Sequence, residues 1–155
     1  MPNNYFHLAA NIRNEQKYFD INLNEIERQL GHSKKFKFDG ELVLEDDGEE
    51  LTIPISLHIG STDGCTAWTV AITLHNERID GIDYEKTYQS AVGAKESGWH
   101  RHDWDVESQT CKVRKIPIND LAEEMDLRDF LVRSFQIMGV LLNADDHGNY
   151  ELQFN

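Results

Sequence analysis

The sequence predicts an α+β fold, an antiparallel sheet of about five strands with helices packed on one face. Three observations carry this expectation. Apolar and polar residues alternate through the middle of the chain, and apolar residues recur at helical spacing towards its C-terminal end. A length of 155 residues with 39% hydrophobic content suffices for one core but not comfortably for two. The chain therefore reads as a single domain over 1–155, with an N-terminal helical segment (1–35), a sheet (36–118), helices (119–142) and a short terminal strand (150–154).

Each element has its own local reason. In "INLNEIERQLGH", Asn22 is a helix cap, Leu23, Ile26 and Leu30 share a face, and Gly31 is a stop. Phe36, Phe38, Leu42 and Leu44 alternate, and after the turn at Asp46-Asp47-Gly48 so do Leu51, Ile53, Ile55, Leu57 and Ile59. That is a β-hairpin, and Pro54, which lacks a donor, places its second strand at or near an edge. "TAWTVAITLHNERID" reads as a third strand with Trp68, Val70, Ile72 and Leu74 on the core side, ending in Arg78-Ile79-Asp80. "GIDYEKTYQSAVGAKESG" has no period and three glycines, which predicts an exposed loop. "GWHRHDWDVE" and "TCKVRKIPI" are extended in character and supply the fourth and fifth strands. Asn119 caps a short helix, Asp126 marks a second cap or joint, and Leu127, Phe130, Leu131, Ile137, Met138 and Leu141 predict one helix over 127–142.

Composition narrows the function classes. The net charge of −13 repels nucleic acid and anionic lipid at long range, so non-specific nucleic-acid binding is not expected and any phosphate contact needs a local basic island. The same charge suits a protein partner with a basic face. No run approaches the roughly 20 apolar residues of a membrane span, and the N-terminus lacks the basic start and apolar stretch of a secretory signal. The expectation is a cytoplasmic protein with no membrane contact. Cys65 and Cys111 make neither a disulfide framework nor a metal-spaced cluster. Phosphate-loop, CxxC, HExxH and GxSxG motifs are absent, and "LEDDGEE" and "NADDHGN" are acidic turns without the ligand spacing of a calcium loop.

The chemistry-bearing stretch is "GWHRHDWDVE". In an extended segment residues two apart share a face, so His100 and His102 point one way while Arg101 and Asp103 point the other. Two imidazoles on one face bind a divalent metal when a third ligand such as His75 or Asp80 joins them. They equally supply an acid and a base for phosphodiester cleavage, with Arg78 or Arg101 balancing phosphate charge. They also serve as hydrogen-bonded structural residues. Trp99 and Trp104 read as packing for the segment.

The order of Arg78-Ile79-Asp80 closing a strand, a glycine-bearing loop, Trp99-His100-Arg101-His102, an extended run and an amphipathic helix resembles the TumE-type toxins of bacterial toxin–antitoxin systems over roughly residues 66–142. The resemblance implies a toxin partnered by a cognate antitoxin, with Arg78, Asp80, His100 and His102 as its catalytic positions. Because consecutive elements usually neighbour each other in space and a partly buried imidazole is readily satisfied by a carboxylate or a carbonyl, an imidazole is also expected within reach of the Asp80 carboxylate. A different class also accounts for the charge: a non-enzymatic acidic interaction or inhibitor protein, of phage or mobile-element type, that binds a basic partner. Neither reading names a cofactor. On either, association with a basic partner weakens steeply as salt rises from about 0.02 to 0.3 M, because the screening length shrinks to well under 10 Å; affinity measured across that range and found constant would remove the argument from charge.

Overall fold

In the computed structural model, residues 2–33, 35–61, 68–89, 95–116 and 126–143 are described. The first element is not followed by a second helix directly. Helix α1 (Pro2–Asn14) leads into strand β1 (Lys17–Asn22) and only then into helix α2 (Leu23–His32). Asn22 caps α2 as its position predicts, its side-chain oxygen accepting from the amide nitrogens of Asn24 and Glu25 at 2.7 and 3.4 Å. Leu23, Ile26 and Leu30 are the buried face.

Strands β2 (Lys35–Asp46) and β3 (Glu49–Ser61) form the alternating hairpin. They turn at Asp47 and Gly48, both at positive φ (52° and 81°), the geometry that matches the twist of a two-residue hairpin. Pro54 does not mark an edge, since β3 lies between β2 and β4 (Trp68–Leu74). It is tolerated because it precedes Ser56, the first residue of β3 that pairs with β4.

The rest of the sheet differs more from the sequence reading. What reads as one strand from Thr66 to Asp80 is two, β4 and β5 (Glu77–Gln89), joined at His75 and Asn76 with φ of 52° and 65°. The expected loop over 81–98 is largely ladder, as β5 continues to Gln89 and β6 (Lys95–Asp105) starts early; their backbones pair without an apolar period to announce it. Strand β7 (Thr110–Lys115) follows β6. Helix α3 (Leu127–Met138), capped by the Asp126 carboxylate on the Asp129 amide at 2.8 Å, stops at Gly139 in the left-handed region, φ 73°. The chain then enters β8 (Val140–Asn143), which pairs parallel with β1. The predicted helix over 127–142 is thus twelve residues of helix, the turn at Gly139 and the first three residues of β8. The Asn119 cap with its short helix, the terminal strand over 150–154 and Cys65 lie outside the described residues.

The expected fold of about five antiparallel strands with helices on one face is therefore corrected. Among the described residues the chain is mostly sheet, 57% strand with three helices, and their open sheet has eight strands in the order β7-β6-β5-β4-β3-β2-β1-β8. The β1–β8 pair makes it mixed. No described helix is long and apolar enough to cross a membrane.

One face of this sheet holds the core. Phe19, Leu42, Leu44, Ile53, Ile55, Leu57, Ile59, Val70, Ile72, Leu74 and Ile82 are buried with Ile12, Ile26, Phe130, Leu131, Phe135 and Met138 of the helices. Each such side chain contributes roughly 1.5 to 3 kcal/mol by leaving water. Trp99 of β6 stacks on Phe130 of α3 with centroids 5.1 Å apart, and Trp104 meets Phe6 and Tyr5 of α1 at 6.1 and 5.9 Å. Both tryptophans are packing residues.

A lysine stands among these apolar groups. Lys17, 1% exposed, donates its ammonium to the Met138 carbonyl and its amide to Gly139 O at 2.9 Å. A cation at the last carbonyls of α3 suits the helix dipole and fastens β1 to the turn into β8. Burial pushes the Lys17 amine down to about 8, against the pull of the Asp80 carboxylate and helped by the Arg101 and Arg13 charges. Between that value and the usual 10.5 the unfolded chain holds a proton that the folded one has released, so stability rises with pH across this window. Relative to Lys17→Met, the native protein should gain up to about 3 kcal/mol between pH 8 and 10.5, read by urea unfolding; parallel pH curves for the two would contradict this.

Candidate functional site

The other face of β5 and β6 carries the polar cluster, and a register shift puts it there. Thr73 pairs with Arg78, but Ile72 pairs with Asp80, so Ile79 is an extra residue in β5. This is a β-bulge. Side chains two apart normally share a face and side chains five apart do not; the bulge reverses both relations across Ile79. Arg78 and Asp83 come to one face, while Asp80 goes to the core side with Ile72 and Asp103. Because Gly81 pairs with His102 and Asp83 with His100, both imidazoles stand on the face of Arg78 and Asp83.

Asp83 is the centre of the cluster. Arg78 grips it with two parallel bonds, Nη1 to Oδ2 and Nη2 to Oδ1, both 2.9 Å, and the Thr69 hydroxyl donates to Oδ1. The Nε2 atoms of His102 and His100 lie 3.3 and 3.9 Å from Oδ2, and the two rings are 5.1 Å apart. His100 Nδ1 donates to the Gly98 carbonyl at 3.3 Å; a carbonyl only accepts, so this nitrogen bears the hydrogen. Arg78 lies across Gly81, where any Cβ would collide with the guanidinium and the Val70 carbonyl. Glycine at this position is thus a requirement of the cluster. The His100 side chain is 1% exposed, against 15% for Asp83, 24% for His102 and 29% for Arg78, so a ligand meets His102 and Arg78 first. Burial pushes the Asp83 carboxyl upward, but the His102 imidazole, the Arg78 guanidinium and Thr69 outweigh it and hold the group well below the usual carboxylate range.

Of the residues singled out from the sequence, Arg78, His100 and His102 are brought together and Asp80 is not. The imidazole contact expected at Asp80 is made at Asp83. Asp80 is fully buried, accepts Arg101 Nε and Nη2 at 2.9 and 2.8 Å, and belongs to a core-side ion network. In that network Asp103 accepts from Arg13 at 3.1 Å and Arg114 at 2.8 Å. His75, the other suggested metal ligand, sits in the β4–β5 turn with its ring 5.7 Å from Tyr5. Cys111 donates its thiol to the Arg78 carbonyl at 3.1 Å, and burial pushes it up to about 12, which leaves it unreactive at neutral pH.

Asp83, Thr69 and Gly81 were missed by sequence reasoning. A signal exists: Ile79 and Ile82 stand three apart in a strand, and both can face one core only if a residue is bulged between them.

Removing one partner of a buried pair leaves the other charge uncompensated. Asp80→Asn should therefore cost about 3 to 5 kcal/mol in denaturant unfolding, because Arg101 loses its counter-charge and one of its two acceptors to an NH2 donor; a loss under about 1 kcal/mol would return Asp80 to consideration as a functional group. No family model, no curated protein and no solved structure matches this chain.

Proposed function

We propose that the protein is a toxin-like component of a bacterial toxin–antitoxin system that acts on RNA, with His102 as the proton-transferring residue. The observation that supports this reading most is the meeting of Arg78, Asp83, His100 and His102 on one face of β5 and β6. His102 is the more open imidazole, and its ring is the group placed to take a proton from an attacking hydroxyl. Asp83 orients that ring. Arg78, anchored by the same carboxylate and partly exposed, balances the charge that builds on a phosphate. His100 stands behind as the buried member of the pair, turned by the Gly98 carbonyl.

A second reading rests on the net charge of −13: an acidic interaction or inhibitor protein that engages a basic partner, with the cluster as a structural pin. Induced expression separates the two. The toxin reading expects growth arrest that a neighbouring antitoxin gene relieves, and RNA cleavage by the purified protein that falls by about 100-fold or more in His102→Ala and in Asp83→Asn. Harmless, abundant expression with RNA left intact would overturn it in favour of the acidic binder.

A further inference from the structure

We infer that Asp83, His100 and His102 form a site for one divalent transition ion of the zinc class. The inference uses the residues of the proposed function but does not depend on that reading. One ligand atom from each residue lies within 4.8 Å of the other two. The Asp83 Oδ2 to Nε2 separations of 3.3 and 3.9 Å bracket the edge of about 3.4 Å expected for a tetrahedral ion with bonds near 2.05 Å. Small side-chain rotations close the remainder.

The surroundings are those that a ligating set needs. Ligating histidines present one nitrogen to the ion and donate the other to a carbonyl or carboxylate. His100 does this through Nδ1 and Gly98 O, which directs Nε2 to the ion. Ligating carboxylates are themselves hydrogen-bonded, and Asp83 Oδ1 accepts from Thr69 and Arg78 Nη2. Both imidazoles come from one strand and the carboxylate from its neighbour, joined by the Asp83–His100 and Gly81–His102 register. This makes three protein ligands, and the partial exposure of His102 leaves a fourth position open towards solvent. Arg78 is the ion's competitor. Its Nη1 occupies Oδ2, so an entering ion displaces one of the two bonds while the bond to Oδ1 persists. Affinity is accordingly lowered by the guanidinium and rises when it is removed.

Cobalt(II) is the probe, titrated into metal-free protein at pH 7.5 with its visible absorption as the readout. The expected result is one equivalent per chain, displaced by one equivalent of zinc. Affinity falls by at least about tenfold in His102→Ala and rises in Arg78→Gln. If His102→Ala misfolds by circular dichroism, His102→Gln carries the same comparison at a half-exposed position. Absence of cobalt absorption, or equal affinity in the His102 variant, overturns the site. Because the assay reads the ion alone, its failure leaves proton transfer by His102 standing, and a silent toxicity assay leaves the ion site standing.

Discussion

The bulge at Ile79 is the constraint on which the polar half of this molecule depends. A regular β5 would put Arg78 with Asp80 on one face and strand Asp83 on the other. By absorbing one residue, the bulge returns Ile79 and Ile82 to the core together and frees Arg78 to reach Asp83 across the flat surface of Gly81. The β5–β6 register then does the rest, because Asp83 and Gly81 are the residues opposite His100 and His102. A single extra residue thus assigns one aspartate to a core ion pair and the other to the imidazoles.

The sheet consequently carries charge on both faces of β5 to β7, and the two sets have different consequences. On the core side, Asp80–Arg101 is a buried pair, and the buried Asp103 carboxylate pairs with the partly exposed guanidiniums of Arg13 and Arg114. Such pairs add little net stability, since desolvation offsets most of the attraction. They do oppose register errors: a one-residue slip would expose apolar groups and bury unpaired charges. On the far side, Asp83 collects a guanidinium, a hydroxyl and two imidazoles around one carboxylate. The Arg78 charge is matched by Asp83, so this face carries a compact polar centre rather than an unpaired charge.

At the opposite edge the organising group is also polar. Lys17 occupies a core position of β1 and satisfies the last carbonyl of α3, where the chain reverses at Gly139 into the parallel strand β8. Segments 121 residues apart in sequence meet through this contact, and the described edge strand beside it is four residues long. Short edges limit unwanted pairing with other chains.

What the sequence by itself determined is local. The Asn22 and Asp126 caps, the β2–β3 hairpin, the apolar face of α3 and the shared face of His100 and His102 follow from neighbouring residues whose preferences agree. Other elements were hidden by a coincidence of pattern. Leu141 continues a helical spacing although Gly139 has ended the helix. Lys17 masks the alternation of β1, and the glycine-bearing stretch between Asp80 and Trp99 lacks the apolar period of the strands it forms. Only the tertiary structure decided that the described residues form eight strands, that β8 runs parallel to β1, and that Asp83 rather than Asp80 meets the histidines. The reason is physical: strand pairing and a bulge are set by which backbone lies alongside, and a shift of one residue reverses every side chain beyond it, so the partner of an imidazole is chosen by register between strands and not by spacing along one of them.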